Sequence, residues 1–185
     1  MRSLVTAVAL AAALAGCSSG AGSSPTAAPV ATPQGPQAGG ATTCASAPAT
    51  SKGAAGSAGT TDLSKKPQIE VPDTPPPCNL VVSDIVEGKG AAAKPGDQLT
   101  MKYVGVLYGT GKQFDASWDR GEDFPFTLGA GMVIQGWDQG LVGMKVGGRR
   151  QLTIPPDLGY GAQGAGADIP PNAALIFVVD LVKIG

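Results

Sequence analysis

The chain has 185 residues, with 13 Lys and Arg against 14 Asp and Glu and no histidine. That length suits one domain of ordinary size plus a sizeable remainder, and near-neutral charge with scattered basic residues lacks the footprint of a nucleic-acid binder. Without histidine, Ser-His-Asp and Cys-His catalysis are excluded and a metal could find only carboxylates or thiols, so neither metal nor cofactor is expected.

Met1 and Arg2 precede an apolar and small-residue run from Leu4 to Ala15, the layout of a secretory signal peptide over residues 1–16. The run is too short for a transmembrane helix, which needs about 20 apolar residues. The residues LAGC at 14–17 resemble a bacterial lipobox. That resemblance implies that Cys17 is acylated and becomes the new amino terminus, with two acyl chains, enough for stable anchoring. The expected location is the cell membrane, lipid-anchored, on its extracytoplasmic side. Residues 17–77 are mostly Ala, Gly, Ser, Thr and Pro with no aromatic residue. Such a segment cannot bury enough apolar surface to offset its ordering entropy and reads as a disordered tether. In an oxidising compartment Cys44 and Cys78 either pair or remain free thiols, and a partner in a disordered segment leaves both open.

Residues 78–185 form the expected domain. Strand-like stretches run over Leu80–Val86 and Leu99–Tyr108, the second alternating Met101, Lys102, Tyr103 with the period of a half-buried strand. Further short strands fit Gln113–Asp115, Phe124–Leu128 and Arg149–Ile154, with glycines marking the turns between them. From Leu175 to Val182 both alternating faces are apolar, which predicts a central strand. Val133, Ile134, Trp137 and Leu141 recur at helical spacing, and the glycines around them limit that helix to a short one. The fold class expected is α+β, a single antiparallel sheet curled around one short helix. No internal repeat is visible.

Three motifs now become specific: KYVGVLYGTGKQFDAS at 102–117, FPFTLGAGMVIQGWDQGLVGMKVGGRR at 124–150, and IPPDLGYGAQGAGADIPPNAALIFVVDL at 154–181. In this order and spacing the domain resembles the macrolide-binding peptidyl-prolyl isomerases, the FKBP family. The resemblance implies a proline pocket made of Tyr103, Phe114, Asp115, Phe124, Val133, Ile134, Trp137, Tyr160, Ile169 and Phe177, with Arg120 at its rim. Trp137 would be the floor, Tyr103, Phe124 and Phe177 the walls, and Val133 and Ile169 the filling between them. The Ile134 N–H and Tyr160 hydroxyl would bond carbonyls of the peptide, and Asp115 would be held by Tyr103 or Arg120. Phe126 reads as core. Ala165 and Asp168 depart from the residue types common in the family, which bears on substrate preference more than on competence.

The expected activity is rotation of X-Pro bonds in exported polypeptides, by a monomer, without covalent, metal or proton-transfer chemistry. Tacrolimus-type macrolides are the expected inhibitors. The alternatives are a membrane-tethered chaperone or binding module using the same pocket with catalysis incidental, and an inert structural lipoprotein whose aromatics are mere core. Replacing Cys17 with Ala is expected to move the protein from the membrane fraction to the soluble fraction. A variant that stays with membranes at high salt contradicts the lipid anchor.

Overall fold

Two ten-residue strands with apolar side chains on alternating positions build the centre of the fold. In the computed structural model the described residues are Cys44 and residues 61–185; the expected signal peptide over 1–16, the lipidation site Cys17 and most of the tether lie outside them. The strands are β1 (Val81–Val86), β2 (Gln98–Leu107), β3 (Gln113–Ala116), β4 (Phe124–Thr127), β5 (Arg149–Ile154) and β6 (Leu175–Ile184). All pairings are antiparallel, in the order β1-β5-β6-β2-β3, and β4 also pairs with β2. β6 is central, as its two apolar faces predict. β3 takes the second half of the free edge of β2, opposite Val104–Val106, and β4 takes the first half, opposite Gln98–Met101.

On one face Leu99, Met101, Tyr103 and Leu107 of β2 meet Phe177, Val179 and Leu181 of β6 and Leu152 and Ile154 of β5. Helix α2 (Gln135–Gly140) packs on this face, bringing Trp137 and Leu141 into the same core. Its seat on β5 is glycine: a Cβ at Gly136 would lie 2.6 Å from Ile154 Cγ2, and one at Gly140 would lie 2.7 Å from Leu152 Cδ2. The four-residue spacing puts both on one side of the helix, so its backbone can approach the sheet closely.

The helix is shorter than the apolar spacing suggests. Val133 and Ile134 precede it, and Ile134 is its N-cap with extended backbone, φ −61° and ψ 150°. Their shared face with Trp137 comes from the chain entering the helix, not from helical periodicity. A second helical turn, α1 (Ser117–Arg120), has no counterpart in the apolar pattern. It ends at Gly121 in the left-handed region, φ 69°, whose N–H bonds back to the Ser117 and Trp118 carbonyls, a glycine stop that frees the chain to turn into β4.

The expected boundary between tether and domain at 77/78 falls inside packed chain. Residues 62–78, here called the strap, cross the opposite face of the sheet. Ile69 and Val71 pack there with Trp118 against Val104, Val106, Tyr108, Ala116 and Ile176. Scattered aliphatic residues in a polar, proline-rich run carry too weak a period to be read from sequence, yet Ile69 and Val71 cover a face that would otherwise be wet. Cys44 and Cys78 are joined by a disulfide, Cα–Cα 5.0 Å, at the end of the strap.

Neighbouring arginines at the start of β5 point to opposite faces, as strand residues must. Arg149 is fully buried on the strap side. Its Nε donates to Asp180 Oδ1 at 2.5 Å and its Nη2 to Asp180 Oδ2 at 2.8 Å, and Nη2 and Nη1 reach the strap carbonyls of Lys65 at 2.9 Å and Asp62 at 3.3 Å. Arg150 pairs with Asp84 and donates Nη1 to the Gly140 carbonyl at 2.8 Å and the Val142 carbonyl at 3.3 Å, satisfying the end of α2.

Arg149→Met leaves Asp180 buried without its charge partner, a loss of about 3–5 kcal/mol. Urea denaturation followed by far-UV circular dichroism should show the midpoint falling accordingly, and Arg149→Met with Asp180→Leu should recover part of it. A single variant as stable as the parent contradicts the buried pair.

Candidate active site

Aromatic side chains from three strands, β2, β4 and β6, converge on Trp137 of α2. Its indole lies 5.2 Å from the Tyr103 ring at 84°, 5.3 Å from Phe177 at 86°, 6.1 Å from Phe124 at 86° and 5.8 Å from Phe126 at 58°. Phe114 stands edge-on to Phe177 at 5.4 Å and 85°. Near-perpendicular rings at these separations are the favoured quadrupole arrangement, worth about 0.5–1.5 kcal/mol a pair beyond area burial. Burial divides the set: Tyr103, Trp137, Ile169 and Phe177 are buried, whereas Phe114, Asp115, Phe124, Val133 and Ile134 are half-buried and Tyr160 is exposed. The result is a floor of packed rings with a rim open to water. Phe126 lies in the core, stacked on Phe124 at 5.7 Å.

Polar groups in this wall satisfy one another. The Tyr103 hydroxyl donates to Asp115 Oδ2 at 2.5 Å and accepts from Arg120 Nη2 at 2.8 Å, and Arg120 Nη1 pairs with Asp115 Oδ1. Asp115 is therefore held by both residues, where the sequence leaves the choice open. Burial first, then the bond to Asp115, raises the Tyr103 phenol above its ordinary value, while Arg120 opposes. Bonds to Tyr103 and Asp115 push the Arg120 guanidinium up, so it stays charged. Burial, then the negative charge of Asp115, raises Tyr160.

Donors without a partner among the described residues remain at the site. The Ile134 carbonyl accepts the Trp137 N–H at 2.9 Å and the Asp138 N–H at 3.3 Å, but the Ile134 N–H makes no hydrogen bond among the described residues. Trp137 Nε1 is likewise buried without an acceptor among them. Asp138 fixes the approach to Ile134, its carboxylate accepting the N–H groups of Gly129 at 2.8 Å and Gly131 at 3.1 Å. Ile169 is set by a bridge to Ala165 with N–H···O distances of 2.9 and 3.1 Å. Asp168, at one of the departing positions, pairs with Lys112 at 2.9 Å and links this loop to the β2–β3 turn. No group of three or more His, Cys, Asp or Glu that could hold a metal occurs among the described residues.

Eight of the ten expected pocket residues, Tyr103, Phe114, Phe124, Val133, Ile134, Trp137, Ile169 and Phe177, share one cluster; Asp115 and Arg120 join it through Tyr103, and Tyr160 stands exposed in the loop after β5. Sequence reasoning misses the residues that make the region possible. Gly105 is the clearest: a Cβ there would lie 2.7 Å from both Phe114 Cζ and Phe177 Cε1, so the bare backbone gives those rings their room. A glycine within an alternating strand is the available signal. Asp138 and Arg150, which hold the two ends of the α2 region, carry no such signal.

Comparison with known proteins gives this geometry its class. Residues 89–182 match the family described as FKBP-type peptidyl-prolyl cis-trans isomerase. The chain is 53% identical over 121 residues to an FK506-binding protein of Streptomyces anulatus, covering 65% of this chain and 98% of that one. It is 51% identical over 119 residues to a probable FK506-binding protein of Corynebacterium glutamicum, covering 64% and 98% respectively. Among solved structures, AtFKBP13 matches with 39% identity and a TM-score of 0.55, over 60% of this chain and 96% of that one. The chain belongs to the FKBP-type peptidyl-prolyl cis-trans isomerases. It is an enzyme that interconverts the cis and trans forms of X-Pro bonds. The Streptomyces match is longer than residues 78–185, so strap sequence is included in it.

Gly105→Ala should displace Phe114 and Phe177, an overpacking loss of about 1–3 kcal/mol. The near-UV circular dichroism should change while the far-UV spectrum is kept, and turnover per folded molecule should fall. Unchanged turnover would remove those rings from the working surface.

Proposed function

We propose that the floor of packed rings around Trp137 takes the proline ring of the substrate and that the half-buried rim binds the flanking peptide. The observation that carries this reading is the combination of a buried aromatic floor, a self-satisfied Tyr103–Asp115–Arg120 network and the uncommitted Ile134 N–H.

Resonance makes the peptide bond planar, with a barrier of about 18–20 kcal/mol, and X-Pro is the case in which both planar forms are close in energy. Rotation passes through a twisted amide in which resonance and its charge separation are lost. Water stabilises the more dipolar planar form, and replacing that water with aromatic carbon removes part of its advantage. Tyr103 and Asp115 add no unmet polar demand to the wall because each is already bonded. Peptide carbonyls are oriented by the Ile134 N–H and the Tyr160 hydroxyl, which selects a bound geometry without moving a proton. Clients are proline-containing exported polypeptides, and the enzyme acts as a monomer tethered outside the cytoplasm by a lipid on Cys17. Macrolides of the FK506 class, for which relatives are named, compete for the same floor.

Protease-coupled isomerisation of an X-Pro peptide, with and without such a macrolide, tests the site. Turnover should be flat between pH 6 and 9, because the raised Tyr103 and Tyr160 phenols stay protonated there and no histidine titrates. A raised phenol favours the folded state while protonated, so that contribution is complete below pH about 10 and is lost as pH rises through the folded-state value. Tyr160→Phe should reduce turnover by less than about twentyfold, the scale of one neutral hydrogen bond. A loss above a hundredfold with a steep pH profile would mean proton transfer, which typically contributes about 10²- to 10⁴-fold, and would end the apolar-pocket mechanism.

A further inference from the structure

The strap runs on the face of the sheet opposite the aromatic floor and supplies none of the pocket residues. One of its contacts nevertheless ends on the helix that delivers Arg120. Lys66 Nζ lies 2.6 Å from Asp119 Oδ1 and 2.8 Å from Asp119 Oδ2. Gln113 Nε2 donates to the same Oδ2 at 2.8 Å. Asp119 immediately precedes Arg120 on α1, and Gln113 lies two residues before Asp115 on β3. One carboxylate therefore joins the strap, the strand that carries Asp115 and the helix that carries Arg120.

A helix of four residues has almost no stability of its own, since nucleation is unfavourable and α1 ends before propagation can compensate. Its orientation must come from outside. At its start the Tyr103 N–H donates to the buried Ser117 Oγ at 2.9 Å. Trp118, like Ile69 and Val71 of the strap, packs against the cluster around Val104 and Ile176, and Lys102 Nζ sits 4.7 Å over its ring. At its end, Arg120 is a long, exposed side chain whose two bonds into the site require the helix to point correctly. Of these fixings, only the Asp119 link acts on the residue next to Arg120. The bonds from Lys66 and then Gln113 hold the Asp119 carboxyl below its ordinary range, so the link is charged at any pH at which turnover is measured.

We infer that Lys66 is a positioning residue of the isomerase: acting through Asp119, it sets α1 so that Arg120 closes the network with Asp115 and the Tyr103 hydroxyl. Lys66 touches no residue of the pocket. The inference rests on Arg120 belonging to the working site as proposed above.

The test is a double-mutant cycle in the full-length chain, reading kcat/KM for an X-Pro peptide together with Tm. Lys66→Ala should lower kcat/KM by about two- to fivefold, the reach of one exposed ion pair, and Asp119→Asn should do the same. Arg120→Ala should lower it by about tenfold or more, as loss of charge-assisted bonds does. In the Arg120→Ala background, adding Lys66→Ala should change nothing further, and Lys66→Arg in the parent should keep the parental kcat/KM. A merely structural contact would lower turnover equally in both backgrounds and follow Tm, so independent, additive losses overturn the inference. So does a silent Lys66→Ala beside a damaging Arg120→Ala, which leaves the site reading intact. A silent Arg120→Ala overturns the site reading and the inference with it.

Discussion

The bare backbone of α2 where it meets β5 is the contact on which the site depends. With Gly136 and Gly140 against Ile154 and Leu152, the helix axis comes close enough to the sheet for the Trp137 indole to lie among strand side chains and not above them. Side chains at those two positions would lift the helix, and every ring distance around Trp137 would lengthen with it. Gly105 does the complementary job from the sheet side, leaving room for Phe114 and Phe177. The aromatic surface is therefore shaped as much by three absent side chains as by the rings themselves. Interiors are close-packed, so an absence of this kind is a specified volume.

The Arg149–Arg150 pair extends this logic to the ends of the elements. Adjacent on β5, they send guanidinium groups to opposite faces, each bonding a carboxylate and backbone carbonyls. Arg150 pairs with Asp84 and ties off α2 on the pocket side; Arg149 pairs with Asp180 and secures the strap on the other. Guanidinium has the fork geometry to do both at once, which the point charge of lysine does not. A single strand thus couples the floor of the pocket to the chain that leads into the domain.

What was legible in the sequence followed from strong local periodicity. The alternation along Leu99–Tyr108 and the two-faced apolar run from Leu175 identify β2 and β6, and the three motifs identify the family. The helical spacing at Val133–Leu141 points to the right segment but overstates its length, because Val133 and Ile134 share the Trp137 face through an extended entry. Helix α1 is invisible to periodicity at four residues, and its Gly121 stop has meaning only once the helix is known. The strap was hidden for a different reason. Its proline-rich, polar composition is that of a tether, and its order comes from Ile69, Val71 and two carbonyls that a buried arginine needs. Tertiary demand of that kind leaves no mark on the segment that answers it.

That demand makes residues 62–78 part of the packed domain. The carbonyls of Asp62 and Lys65 bond the buried Arg149 that pairs with Asp180, and Ile69 and Val71 pack against the cluster of Val104, Val106 and Ile176. A chain cut at Cys78 would keep every pocket residue and still present an aliphatic sheet face around a half-hydrated ion pair, a surface suited to sticking to its own copies. The sheet face behind the aromatic floor thus owes its cover to chain upstream of the first strand, and that cover must travel with the catalytic half wherever the domain is cut.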